Sequence, residues 1–147
     1  MLPTGRILGV HGIGVKYTDS NGNVTDRATP TSTGATFTVE IKNFGSVAGT
    51  SFTGIWRPFF GGEEGPVTQQ RDTPITLYPT ASAFLVGYLG QDKYTELIRG
   101  KTLVLEITVT YSGPSATYKE CTKHQFDTTT GGFLQLGACD HPPNLKQ

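Results

Sequence analysis

Apolar and polar side chains alternate with a period of two along much of the chain, the spacing of strands that turn one face to a core. The clearest run is Ala35 to Lys42: Ala35, Phe37, Val39 and Ile41 point one way, and Thr36, Thr38, Glu40 and Lys42 the other. A second run, Lys101 to Tyr111, puts Leu103, Leu105, Ile107, Val109 and Tyr111 on one face, with Thr102, Glu106, Thr108 and Thr110 mostly opposite. Ile7 to Tyr17 carries Val10, Ile13, Val15 and Tyr17, and Gly9, Gly12 and Gly14 predict that this strand is weakened or bulged. Further strands are expected at about Ala48 to Phe60, Pro74 to Tyr78, Ser82 to Leu89, Thr117 to Phe126 and Phe133 to Ala138. Asp92 to Arg99, ended by Gly100, is the sole helical candidate and is read as one turn.

Between these runs stand turn signals. Asp19-Ser20-Asn21-Gly22-Asn23 suits a tight hairpin, because Asn-Gly tolerates positive φ. Thr25 to Gly34 reads as a polar loop, Asn43-Phe44-Gly45-Ser46 as a turn, and Gly61 to Pro66 as a glycine-rich loop. Ser112-Gly113-Pro114 and Gly131-Gly132 separate the last three strands. About seven or eight short strands at this spacing predict an all-β fold, an immunoglobulin-like antiparallel β-sandwich. Residues 1–147 form one domain in this reading, with extended tails at 1–6 and 141–147.

Composition narrows the functional classes. Charged residues are 16% and the formal net charge is zero, so the basic face that a nucleic-acid partner requires is not expected. No run approaches the roughly 18 apolar residues of a membrane span. The N-terminus has one arginine and no apolar stretch of signal-peptide type. A targeting segment or membrane tether would then lie outside this chain.

Cys121 and Cys139 stand 18 positions apart on the last two predicted strands, where a bridge is geometrically reasonable. Its loop entropy would be worth about 3 kcal/mol, and it would place the chain in an oxidising compartment. Two free thiols are the alternative. A third reading takes Cys121-x-x-His124 with Cys139-x-His141 as a tetrahedral zinc set. Asp19-x-Asn21-x-Asn23-x-x-Asp26 has oxygen-rich calcium spacing, but Gly22 is misplaced and Pro30 stands where a bidentate Glu belongs; a hairpin turn explains the same residues. Asn23-Val24-Thr25 is a glycosylation triplet. Gly100-Lys101-Thr102 lacks the earlier glycine of a phosphate loop and precedes a strand. Glu63-Glu64 lies in a glycine loop, where two carboxylates are solvated. No serine stands in a nucleophile elbow. Neither an enzyme nor a bound cofactor is expected.

Aromatic residues remain. Trp56, Phe59, Phe60, Tyr78, Tyr88 and Tyr94 fall in the middle third, and Trp56 is expected to anchor the core as tryptophan does in immunoglobulin-like sandwiches. Those left exposed among Trp56, Phe59, Phe60, Tyr88 and Tyr94 are candidate contacts for a protein partner or a glycan.

The stretch Phe37-Thr38-Val39-Glu40-Ile41-Lys42-Asn43-Phe44-Gly45-Ser46-Val47-Ala48 resembles the strand, Asn-x-Gly, x-x-Ala, strand signature of immunoglobulin-like modules in bacterial surface proteins. From Phe37 onward the chain is similar to a group of uncharacterised bacterial envelope proteins in which N-terminal membrane helices precede a small β-sandwich. Asn43-Phe44-Gly45, Trp56, Ile98-x-Gly100, Leu103 to Tyr111, Thr117 to Cys121, Cys139 and Asn144 carry the likeness, while Ser112-Gly113-Pro114 departs from the group's Asp-containing turn. The resemblance implies a location and an architecture rather than an activity. The expected function is that of a non-enzymatic, extracytoplasmic structural or protein-interaction module, membrane-tethered in a full-length form. Alternatives are a subunit of a surface filament or virion that pairs through its N-terminal strand, Gly5 to Val15, and a glycan-binding module.

Overall fold

A computed structural model describes residues 7–65, 69–70, 74–113 and 115–141. In chain order the elements are β1 (Leu8–Asp19), β2 (Val24–Thr25), β3 (Ser32–Asn43), β4 (Gly49–Phe60), β5 (Glu63–Glu64), β6 (Gln69–Gln70), β7 (Ile75–Leu77), β8 (Ser82–Leu89), α1 (Gln91–Ile98), β9 (Leu103–Ser112), β10 (Thr117–Asp127) and β11 (Gly132–Ala138). One sheet has the order β2-β1-β3-β8, and the other β11-β10-β9-β4-β5, with β6 and β7 also on β4. Among the described residues every pairing is antiparallel, and the two sheets pack as a sandwich.

Alternation places the core where the pattern put it. Ala35, Phe37, Val39 and Ile41 of β3 meet Leu103, Leu105, Ile107, Val109 and Tyr111 of β9, all buried. Phe37, Phe126 and Phe133 form an aromatic cluster with edge-on and tilted rings. β8 turns Ala83, Leu85 and Gly87 inward, and the Trp56 ring lies so close over Gly87 that a Cβ there would overlap it.

Some expectations need correction. Within the expected loop Thr25 to Gly34, Thr25 pairs with Tyr17 as part of β2, and β3 already begins at Ser32. Glu63-Glu64 forms a short strand against Phe59 and Phe60 instead of a free loop. The helix has 8 residues, about two turns, because Tyr94 and Leu97 give it a buried stripe. Its end is a Schellman motif: Gly100, at φ +110°, donates to the Leu97 carbonyl, and Lys101 donates to that of Glu96. The tail was expected to loosen from His141, but His141 is tied down. Pro142 and Pro143 lie outside the described residues.

The Asn-x-Gly signature has a local cause. Asn43 is fully buried, and its amide donates to the carbonyls of Val47 and Leu77 at 2.9 and 2.8 Å while its oxygen accepts from Gly45 N–H at 2.8 Å. One side chain thus ties the β3–β4 turn to β7.

Candidate functional site

Three regions hold the candidate residues: a clasp on the outer face of the second sheet, the exposed face of β8, and an open flank at β1.

The clasp is built across three strands. Lys123, Glu106 and Arg57 are cross-strand neighbours on β10, β9 and β4, on the face turned away from the core. Period-two alternation assigns that face to solvent, yet Glu106 is only 1% exposed and Thr108 is buried too. The cover is Cys139-Asp140-His141. The Cys121–Cys139 disulfide, with Cα atoms 5.4 Å apart, pins this segment to β10, and Cys139 N–H donates to the Cys121 carbonyl. The Glu106 carboxylate accepts from the backbone N–H groups of Asp140 and His141, each at 3.1 Å, and its Oε2 lies 3.0 Å from His141 Nδ1. Arg57 donates to the His141 carbonyl at 2.6 Å, and the imidazole stacks on Phe59 with centroids 4.4 Å apart. Lys123 pairs with Asp140, and Arg57 makes a two-pronged pair with Glu64. That hydrogen-bonded guanidinium holds the Glu64 carboxyl below its usual value, and Glu64 in turn raises Arg57. A buried carboxylate satisfied by two amides and a ring nitrogen is a structural fastening.

The disulfide reading of the cysteines therefore holds, and the Cys-x-x-His zinc set does not assemble. His124 stands three residues from Cys121, an odd offset on a strand, so it faces the interior, where Thr122 Oγ1 lies 2.8 Å from its Nε2. Burial pushes its pKa down. The calcium-like spacing is likewise spent on the turn. Asp19 Oδ1 accepts from the N–H groups of Asn21 and Asn23, while Oδ2 accepts from the Asn23 side chain. Asp26 is paired with Lys16.

Of the five aromatic contact candidates, Trp56, Phe59, Phe60 and Tyr94 are buried, and Tyr88 alone is exposed, at 68%. Trp56 fills the space over Gly87, Phe60 and Tyr94 join the core, and Phe59 is covered by His141. Buried rings offer no stacking surface, which removes four of the five from glycan contact. Tyr88 stands in a stripe that the sequence reading did not isolate: Phe84, Val86 and Tyr88 project from the outer face of β8, beside Glu40, Thr38 and Thr36. Alternation from the inward Ala83, Leu85 and Gly87 was the signal for it.

The third region is the outer edge of β1. From Leu8 to Asp19 this strand pairs with β3, but among the described residues its other edge is paired only at Tyr17 and Thr18, by β2. Val10, Ile13 and Val15 remain only partly buried. At the N-terminal end of this flank the sheets part around a cleft of about 150 Å³ lined by Gly9, Val10, Val109, Glu120, Thr122 and Gln135.

Comparison with protein-family models gives no match, and comparison with curated proteins gives none either. The likeness to envelope proteins read from the sequence therefore has no counterpart there. Among solved structures, a crystal structure of a protein from Archaeoglobus fulgidus aligns with 89% of this chain and 100% of its own, with TM-score 0.46 and 11% identity. That is a distant neighbour, too remote to bear on function.

Proposed function

We propose that this chain is a non-enzymatic, extracytoplasmic structural module that associates through the open flank of its first sheet. The observation that carries the reading is the edge of β1: a strand in register with β3 along its length whose other edge is paired only at Tyr17 and Thr18 among the described residues. Unpaired backbone groups on such an edge are a template for an added strand. Half-buried Val10, which lines the cleft, and Ile13 and Val15 further along the strand supply apolar surface for it to cover. The register shift at His11 and the charge of Lys16 blunt the two ends, so the stretch Gly12 to Val15 is the part left flat. So short a ladder favours weak, concentration-dependent association over an obligate complex.

The immunoglobulin-like assignment is part of this proposal. The neighbours β1-β3-β8 and β4-β9-β10 match the A-B-E and C-F-G strands of that architecture, with Trp56 on the strand corresponding to C. The disulfide is compatible with an oxidising compartment outside the cytoplasm.

Light scattering over a wide concentration range tests association. A mass that rises with concentration, and a smaller rise when Ile13 is replaced by Asp, is the expected result. A chain that stays monomeric at every concentration removes the proposal.

A further inference from the structure

The clasp holds a donor set that the oxidised protein does not use. The sulfurs of Cys121 and Cys139 and a carboxylate oxygen of Glu106 all lie within 4.8 Å of one another. His141 Nδ1 stands 3.0 Å from the same carboxylate. Two sulfurs, one carboxylate oxygen and one imidazole nitrogen are a complement that tetrahedral zinc accepts. Glu106 takes the place that Cys-x-x-His spacing would give to His124, because Glu106 shares the outer face with Cys121 and His124 does not.

We infer that reduction of the Cys121–Cys139 bond turns the clasp into a zinc site ligated by Cys121, Cys139, Glu106 and His141. A dithiol reductant supplies the two electrons and two protons: the S–S bond breaks, two S–H groups form, and the dithiol closes to its own disulfide. Zinc then displaces both thiol protons to solvent and sits between His141 Nδ1 and the carboxylate, whose present contact it replaces.

Charge favours the exchange. Two thiolates, one carboxylate and Zn²⁺ sum to one negative charge, and Arg57 and Lys123 flank Glu106 in its own cross-strand row. An outer partner is already in place, since Thr108 Oγ1 lies 3.2 Å from Cys121 Sγ and donates to it. The ligands sit on β9 and β10 and the short segment that follows β11, so closing the site requires the clasp to shift and leaves the sheet as it is. Zinc would thus substitute for the covalent bond as the fastening of the last strand.

The test uses the full chain, reduced with a phosphine under nitrogen, with cobalt(II) as the optical probe. The reduced protein is expected to take one cobalt per chain, with the sulfur-to-cobalt charge-transfer band and the intense visible bands of a tetrahedral site; zinc should displace it. The oxidised protein should take none. Glu106→Gln is expected to weaken binding by more than the roughly 10- to 100-fold that loss of an outer partner costs. If that variant does not fold, His141→Ala carries the same expectation. A reduced, folded chain that leaves cobalt in its octahedral aqueous form overturns the site. So does equal affinity in the variant, or binding that persists unchanged in urea, which would mean the cysteines chelate without the fold.

Discussion

The two outer faces of this sandwich are written in the same alternating pattern and end in opposite states. On the first sheet, Thr36, Thr38, Glu40 and Lys42 of β3 run beside the side-chain-free row of Gly12 and Gly14 on one side and the exposed Phe84, Val86 and Tyr88 on the other. On the second sheet, Glu106, Thr108 and Phe59 occupy equivalent outward positions and are buried, because Cys139-Asp140-His141 folds over them. The polar groups differ accordingly. Glu40 touches His11 and Ser82 at the surface, whereas Glu106 is enclosed and satisfied by backbone N–H groups. A strand pattern thus tells which residues leave the core, and a separate covering segment decides whether they reach water.

The largest effect is expected from removing the cover. The paired substitution Cys121→Ser with Cys139→Ser should lower stability by about 3 kcal/mol, read from urea midpoints, on the scale of a loop of this length. A loss near zero would mean that the hydrogen bonds to Glu106 alone hold the clasp. Next comes a matched pair of truncations. Glu106→Ala strands two backbone N–H groups and should cost about 2 kcal/mol, whereas Glu40→Ala on the first face should cost clearly less, since its partners can turn to water. Equal losses would erase the distinction between the faces.

Acid titration separates the interior from both faces. Burial keeps the His124 pKa below its ordinary value, so the unfolded chain takes up a proton at a pH where the folded chain does not. Stability is therefore full above the ordinary histidine range and falls as pH drops through it, by at most about 1.4 kcal/mol per pH unit. His124→Gln should flatten that slope. The lowered carboxyls respond further down: Glu64 through Arg57, and Glu40 chiefly through the Ser82 hydroxyl, hold stability above the ordinary carboxylate range that is lost as pH falls through their depressed values. Thermal melts across pH, wild type against variant, check both windows. The smallest effect is expected at the exposed stripe, where Tyr88→Ser and Phe84→Ser should change stability by no more than about 0.5 kcal/mol.

Much of this architecture was legible before folding. Among the described residues, seven strands of 7 residues or more carry the sandwich, each within a few residues of its expected span, because alternation over β3 and β9 leaves one register that buries the apolar set. The two-residue ladders β2, β5 and β6 were not legible as such, since they exist only by pairing with neighbours and carry no period of their own, whereas β7 falls inside the expected strand Pro74 to Tyr78. The disulfide was readable because both cysteines fall at adjacent strands. Glu106 was not, because its cover comes from more than thirty residues downstream. Phe59 looked available for contact for the same reason. The zinc-like spacing at His124 contained its own refutation, because an odd offset on a strand separates faces. Trp56 as a core anchor followed from the sandwich pattern, and its seat on Gly87 explains why β8 carries a glycine at that inward position.

The most direct test of the proposed association is hydrogen exchange, followed peptide by peptide in dilute and in concentrated protein. Amides of Leu8 to Lys16 should gain protection with concentration, while those of Leu103 to Ser112, enclosed between β4 and β10, stay protected throughout. Exchange in β1 that is indifferent to concentration, in a chain that remains monomeric, would contradict the account.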